Sequence, residues 1–197
     1  KYNSLMNHKK RLILAITGAS GAIYGLQMFK ALKDLNIEVH LVISSMGVQV
    51  IKEETDTDPE ELIKAADHAY QPEDLSAPIA SGSFKTDGML IVPCSVKTLS
   101  GVANAYAENL VQRAADVCLK EGRPLLLAVR ESPLHPGHLR LMSLAADSGA
   151  IIFPPIPSFY DQPTSVEALV DAIIGRMLAR IGIDNTYFQP WNKKIAI

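Results

Sequence analysis

Cysteine is scarce in this 197-residue sequence: Cys94 and Cys118 stand alone, with no C-x-x-C and no Cys/His spacing. A disulfide framework and a zinc site therefore lack support, and a reducing, cytoplasmic setting is expected. Charge of one sign is missing too, since 19 Lys+Arg face 21 Asp+Glu for a formal net charge of −2. That balance excludes a general nucleic-acid binder, which carries a clear basic excess, and any anion site has to be local. A 20% charged fraction argues against long disordered tails. No run reaches the roughly 18–20 apolar residues of a membrane span. Lys1–Arg11 has basic residues but no signal-type apolar core. Aromatics make up only 6% of a chain that is 48% hydrophobic.

The apolar content therefore comes from Ala, Val, Ile and Leu, residues that fill strands buried on both faces. Strand-length runs recur at Leu12–Thr17, Val39–Ile43, Met89–Val92, Leu125–Val129 and Ala150–Phe153, each followed by Gly, Ser or Pro and then a helix-period segment. This alternation means βαβ units and a mostly parallel sheet, hence an α/β protein. The expected helices are Ala22–Leu35, Met46–Glu54, Pro59–Ala66, Asn109–Lys120, His138–Asp147 and Ser165–Ile181. Thr164 and Glu167 read as a capping box for the last, and Gly182 as its end. One domain over residues 1–197 is expected, with 1–9 a flexible extension and 183–197 a tail packing on a neighbouring subunit. Pro72, Pro78 and Gly82 interrupt any pattern in Tyr70–Gly88, which reads as a long ordered loop or active-site cover.

Thr17–Gly25 is a glycine-rich turn opening into a helix, where backbone N–H groups can face a phosphate. The alternative is a tight turn without a ligand. The spacing is not G-x-G-x-x-G, and Ser44-Ser45 rather than an acid follows Ile43, which favours a mononucleotide such as FMN over NAD. A second small polar loop, Pro93–Gly101, follows Met89–Val92 and can converge with Ser20 and Ser44 beyond the strands' carboxyl ends. Cys94 reads as a packed small residue rather than a nucleophile. Arg130-Glu131, after Leu125–Val129, suits phosphate recognition and proton handling, or else a structural salt bridge. His135 and His138 flank Pro136-Gly137, which favours a turn, and lack a third ligand, so no metal is expected. Arg113 and Lys120 share a helix face. Lys120 should lie roughly 18 Å of helix from the ligand edge. If Lys120 serves a site, that site belongs to another subunit, and Arg176, set among apolar neighbours, invites the same reading.

Seven ordered stretches then resemble the UbiX-type flavin prenyltransferases, within the flavoprotein family that also holds the phosphopantothenoylcysteine decarboxylases. They are Ile16–Gly25, Glu54–Asp56, Ser81–Phe84, Pro93–Gly101, Arg113–Glu121, Val129–Leu139 and Phe159–Pro163. The resemblance runs from Lys10 to about Trp191. It implies a single-domain, Rossmann-like (flavodoxin-like) three-layer sandwich. It also implies transfer of a dimethylallyl group from dimethylallyl monophosphate to N5 and then C6 of reduced FMN, without a metal. The product would be prenylated FMN for a UbiD-type decarboxylase, as in ubiquinone synthesis.

Position by position, the resemblance places FMN on Gly18, Ala19, Ser20, Ser44, Ser95, Val96, Lys97, Thr98 and Arg130. It places the prenyl phosphate on Arg113, Lys120, Tyr160 and Arg176, and proton handling on Ser20, Glu54 and Glu131. It further implies a homo-oligomer, a dodecamer, with shared sites, and aromatic faces such as Tyr160 and Trp191 near an allylic cation. For Trp191, interface packing is the alternative. Two other functions compete. A flavin-dependent decarboxylase of a cysteine-type substrate would need a catalytic His, for which His68 is the candidate, and an Asn-bearing loop that Cys94–Thr98 lacks. A non-catalytic flavin-binding subunit would leave Arg113, Lys120, Glu131 and Arg176 without a task.

Overall fold

The computed structural model describes residues 9–160 and 162–189. Its strands are β1 (Arg11–Ile16), β2 (Glu38–Ile43), β3 (His68–Tyr70), β4 (Gly88–Cys94), β5 (Leu125–Val129) and β6 (Ile151–Ile152). The helices are α1 (Ala22–Asp34), α2 (Ser45–Glu54), α3 (Pro59–Ala65), α4 (Val96–Ala103), α5 (Leu110–Lys120), α6 (Pro136–Asp147) and α7 (Val166–Arg180). All strand pairs are parallel, in the order β3-β2-β1-β4-β5-β6. That is the Rossmann order. Without β3, a three-residue edge strand, the remaining five follow the flavodoxin order, so both names describe one sheet.

Alternate residues of the buried strands feed two apolar layers. Leu12, Leu14, Ile16, Leu41 and Leu90 pack with α1, α2 and α7 on one face. Ile13, Ala15, Met89, Ile91 and Leu127 pack with α4, α5 and α6 on the other. Each fully buried Leu or Ile contributes about 1.5–3 kcal/mol of transfer free energy. Among the described residues no helix is long and apolar enough to cross a membrane.

Three expectations need correction, and one strand was not expected. Pro93–Gly101 is a loop only as far as Ser95, because Ser95 accepts from the Thr98 amide at 3.3 Å and starts α4. Strand β3 is too short and polar to have a sequence signal; it pairs with β2 through His40 and His68. The cap of α7 is Ser165, which accepts from the Ala168 amide at 3.1 Å, and not Thr164; Gly182 does follow the helix, at φ 78°. The His135–His138 stretch is the first turn of α6, with His135 Nδ1 accepting from Gly137 and Pro136 preset for the helix.

The described part of the tail is seated on its own chain. Asn185 donates to Gly175 O at 3.0 Å, and Tyr187 Oη donates to Asp34 at 3.0 Å. Of the expected extension, Lys9 is described and pairs with Asp67 at 3.3 Å. The rest of the extension, and Trp191, lie outside the described residues.

Candidate functional site

The strand order reverses between β1 and β4, so the loops leaving them diverge and open a crevice at the carboxyl end of the sheet. Thr17 ties its two sides together: its hydroxyl donates to Pro93 O at 2.8 Å and accepts from the Ser95 amide at 2.9 Å. The crevice is a cavity of about 600 Å³, within the range of cofactor sites. Gly18, Ala19, Ser20, Ser44, Ser95, Val96, Lys97, Thr98, Arg130 and Glu131 all line it. Gly18 has no room for a side chain, because a Cβ would collide with Met46 Cβ where α2 begins.

Three helices begin at this cavity. Ser44 caps α2 by accepting from Gly47 N at 3.0 Å, Ser95 caps α4, and Asn109 caps α5 by accepting from Gln112 N at 3.1 Å. Each start carries a partial positive charge beside Arg130, an arrangement suited to an anionic mononucleotide. The start of α1 is different. Its Gly21 and Ala22 amides, which the glycine-rich turn seemed to offer a phosphate, donate to Glu54 at 2.7 and 2.9 Å. That acid lies 33 residues from Gly21, so sequence patterns do not reveal the contact.

Desolvation raises the pKa of Glu54, but hydrogen bonds from Ser20 and from the Ala22 and Gly21 amides, together with the charge of Arg130, outweigh it. The net shift is downward, so Glu54 is a carboxylate at neutral pH and accepts protons rather than donating them. Glu131 accepts from the Ser132 amide at 3.0 Å, and no ion pair joins it to Arg130, so the salt-bridge reading fails. Cys94 is wholly buried and its thiol pKa is pushed up, which removes it as a nucleophile. Met46, Glu108 and Asn109 also line the cavity without having been singled out, and so do Pro72 and Glu73, from the Tyr70–Gly88 segment expected to be a loop or active-site cover.

The residues expected to hold the prenyl phosphate are elsewhere. Arg113 donates to Ala80 O at 3.1 Å and pairs with Asp116 at 2.8 Å, and Lys120 pairs with Glu121 at 2.6 Å. Both cations face the segment before β4, and α5 runs from the cavity at Asn109 to the opposite end of the sheet at Lys120. Arg176 lines a separate cavity of about 230 Å³ with Ile152, Phe153 and Ile156, and its guanidinium lies 5.8 Å from the Phe188 ring centroid. Tyr160 is exposed on the connection leading to α7.

Glu38, His40 and His68 bring possible ligand atoms within 4.8 Å of one another at the amino end of β2. Arg11 already binds both Glu38 oxygens, at 2.8 and 3.3 Å, and the Tyr70 hydroxyl lies 2.8 Å from His40 Nδ1. The group is thus an ion-pair and hydrogen-bond network. His68 opens β3, at the other end of the sheet from the cavity.

Comparisons with known proteins identify the chain's relatives. A family model described as Flavoprotein matches residues 1–178. The flavin prenyltransferase UbiX of Escherichia coli K12 is 50% identical over 175 residues, 88% of this chain and 93% of that protein. The crystal structure of AnUbiX (PadA1) in complex with FMN and dimethylallyl pyrophosphate superposes with a TM-score of 0.92 at 44% identity, over 94% of this chain and 99% of that one. A dodecameric FMN-dependent UbiX-like decarboxylase from Escherichia coli O157:H7 gives a TM-score of 0.90 at 42% identity, over 93% and 100%.

Proposed function

The chain belongs to the flavoprotein family and, within it, to the UbiX-type flavin prenyltransferases, and from that premise we propose the reaction it carries out. It transfers a dimethylallyl group from dimethylallyl monophosphate to reduced FMN. The observation that carries this reading is the cavity in which ten expected residues, Arg130 among them, meet three helix starts.

When bound, reduced FMN would supply N5, which would exchange its proton for prenyl C1 as the donor's C–O bond breaks and phosphate leaves, and C6, which would give up its proton to close the fourth ring as the prenyl double bond takes one up. Ser44, Ser95 to Thr98 and Arg130 hold the mononucleotide through amides, hydroxyls and a guanidinium. Gly18 and Ala19 bring backbone against it. Glu54 is kept ionised and linked to Ser20, so the pair accepts a proton from the flavin edge. Glu131, at the rim, handles the proton at the departing phosphate. Arg113, Lys120, Tyr160 and Arg176 stabilise the charge developing on that phosphate, in place of a metal.

Because those four lie away from the cavity within one chain, the complete site is formed between subunits of a homo-oligomer. A dodecamer is the assembly this reading adopts. The exposed apolar side chains Leu139, Ile156 and Phe159 support such contacts. Prenylated FMN passes to a UbiD-type decarboxylase in the cytoplasm, a setting consistent with two buried, free thiols.

The test is anaerobic incubation of the full chain with reduced FMN and dimethylallyl monophosphate. The flavin is expected to gain the mass of one prenyl unit, and an unchanged flavin mass overturns the assignment.

A further inference from the structure

The stretch 81–86, just before β4, has no regular structure, yet it is held from both sides. From one side Arg123 donates Nη2 to Gly82 O at 2.6 Å and Nη1 to Phe84 O at 2.8 Å and Thr86 Oγ1 at 3.3 Å. From the other, Arg11 donates Nη1 to Lys85 O at 3.0 Å and stacks its guanidinium 4.7 Å from the Phe84 ring centroid. Charge-assisted bonds from a planar fork fix direction as well as distance.

The stretch also presses on the end of α5. A Cβ on Gly82 would lie 2.8 Å from Lys120 Nζ and 2.8 Å from Glu121 Cδ, and closer still to Glu121 Oε1. The Gly82 backbone is thus the wall against which the Lys120 ammonium rests. Ala80 O, just before this stretch, accepts from Arg113. Arg123 reaches neither the flavin cavity nor the Arg176 cavity, so its three bonds have no direct part in the chemistry.

We propose that Arg123 is a positioning residue: by clamping Gly82, Phe84 and Thr86 it sets the backbone wall that orients Lys120 and Arg113 toward the phosphate of the prenyl donor. This rests on the reading that those two residues serve the donor. It assigns a role to the second half of Tyr70–Gly88, where Ser81–Phe84 is one of the stretches that carry the family resemblance.

The experiment compares Arg123→Gln, Arg123→Lys, Gly82→Ala and Lys120→Ala in the full chain. Flavin fluorescence gives FMN affinity, and anaerobic turnover gives kcat and KM for dimethylallyl monophosphate. Arg123→Gln is expected to raise the donor KM about tenfold, with FMN affinity and kcat changed less than about threefold. Gly82→Ala is expected to move KM the same way while removing no bond of Arg123. The atoms its methyl meets are the mobile ends of Lys120 and Glu121, so this variant folds and decides the matter if Arg123→Gln does not.

Arg123→Lys keeps the charge but not the fork, and is expected to recover only part of the loss. Wild-type KM in Arg123→Lys would mean that charge alone acts, and overturns the clamp. Wild-type KM in both Arg123→Gln and Gly82→Ala, with KM raised in Lys120→Ala, overturns the positioning role alone. An unchanged KM in Lys120→Ala removes the donor reading, and the positioning role with it.

Discussion

The two ends of the sheet are built on different principles. At the carboxyl end, Ser44, Ser95 and Asn109 each bond an amide three residues onward, so short local contacts aim the polar groups into one cavity. At the amino end, Arg123 is fixed by the Phe84 and Gly82 carbonyls, 39 and 41 residues away, on a stretch without regular structure. The first arrangement is complete within one chain. The second leaves Lys120 exposed at the far end of α5, away from the cavity. The proposed function divides the work accordingly, with the flavin in the chain's own cavity and the donor on cations that the assembly supplies.

The sharpest way to break this contrast is at Glu54, the acid that accepts from the Gly21 and Ala22 amides at the start of α1. Glu54→Gln keeps an acceptor for the Gly21 or Ala22 amide but loses the charge. Turnover is expected to fall about a hundredfold or more, the scale of lost acid–base catalysis, while FMN affinity is retained. Anaerobic turnover with saturating donor checks this. A rate within about threefold of the parent would move proton transfer to another group.

Arg176 tests the other half. Arg176→Ala is expected to leave FMN affinity intact and to weaken use of the prenyl donor about tenfold. Equal loss of both would place Arg176 at the flavin. Mixing Lys120→Ala with Arg130→Ala subunits is expected to restore part of the activity, because each supplies the end the other lacks. If subunits verifiably exchange and nothing recovers, the site lies within one chain.

The contrast also explains what could be read from the sequence. Five strands announced themselves as apolar runs, and Gly18, Ser20, Ser44, Ser95 and Arg130 followed from their position after those runs. Arg113 and Lys120 were legible as one helix face, but not the Ala80 carbonyl or the Gly82 backbone they face. The Glu54 bond to the start of α1 joins segments 33 residues apart and leaves no periodic trace. Helix α4 was hidden because its cap and first turn, Ser95–Thr98, have the composition of a loop. Strand β3 was hidden because three half-polar residues cannot carry an alternation.

The smallest effect concerns the footing of the amino end. His40 is 1% exposed, and burial is the main cause of its lowered pKa, with His68 and Arg11 adding repulsion and Glu38 opposing. Its ring lies edge-on to Phe84 at 5.3 Å, and Tyr70 completes its surroundings. A histidine whose pKa is depressed on folding contributes stability that is whole above its unfolded value of 6.5. That stability is lost as pH falls from there through the folded value, with a slope of at most about 1.4 kcal/mol per pH unit. Glu38 is shifted down chiefly by its bond to Arg11, so its loss begins only below its ordinary 4.5. Acidification to about pH 5.5 is therefore expected to lower Tm and to lower the amide protection factors of residues 81–86 before those of residues 16–20. His40→Asn is expected to flatten that slope. Equal loss of protection at both ends would mean that the histidine network does not support the amino end selectively.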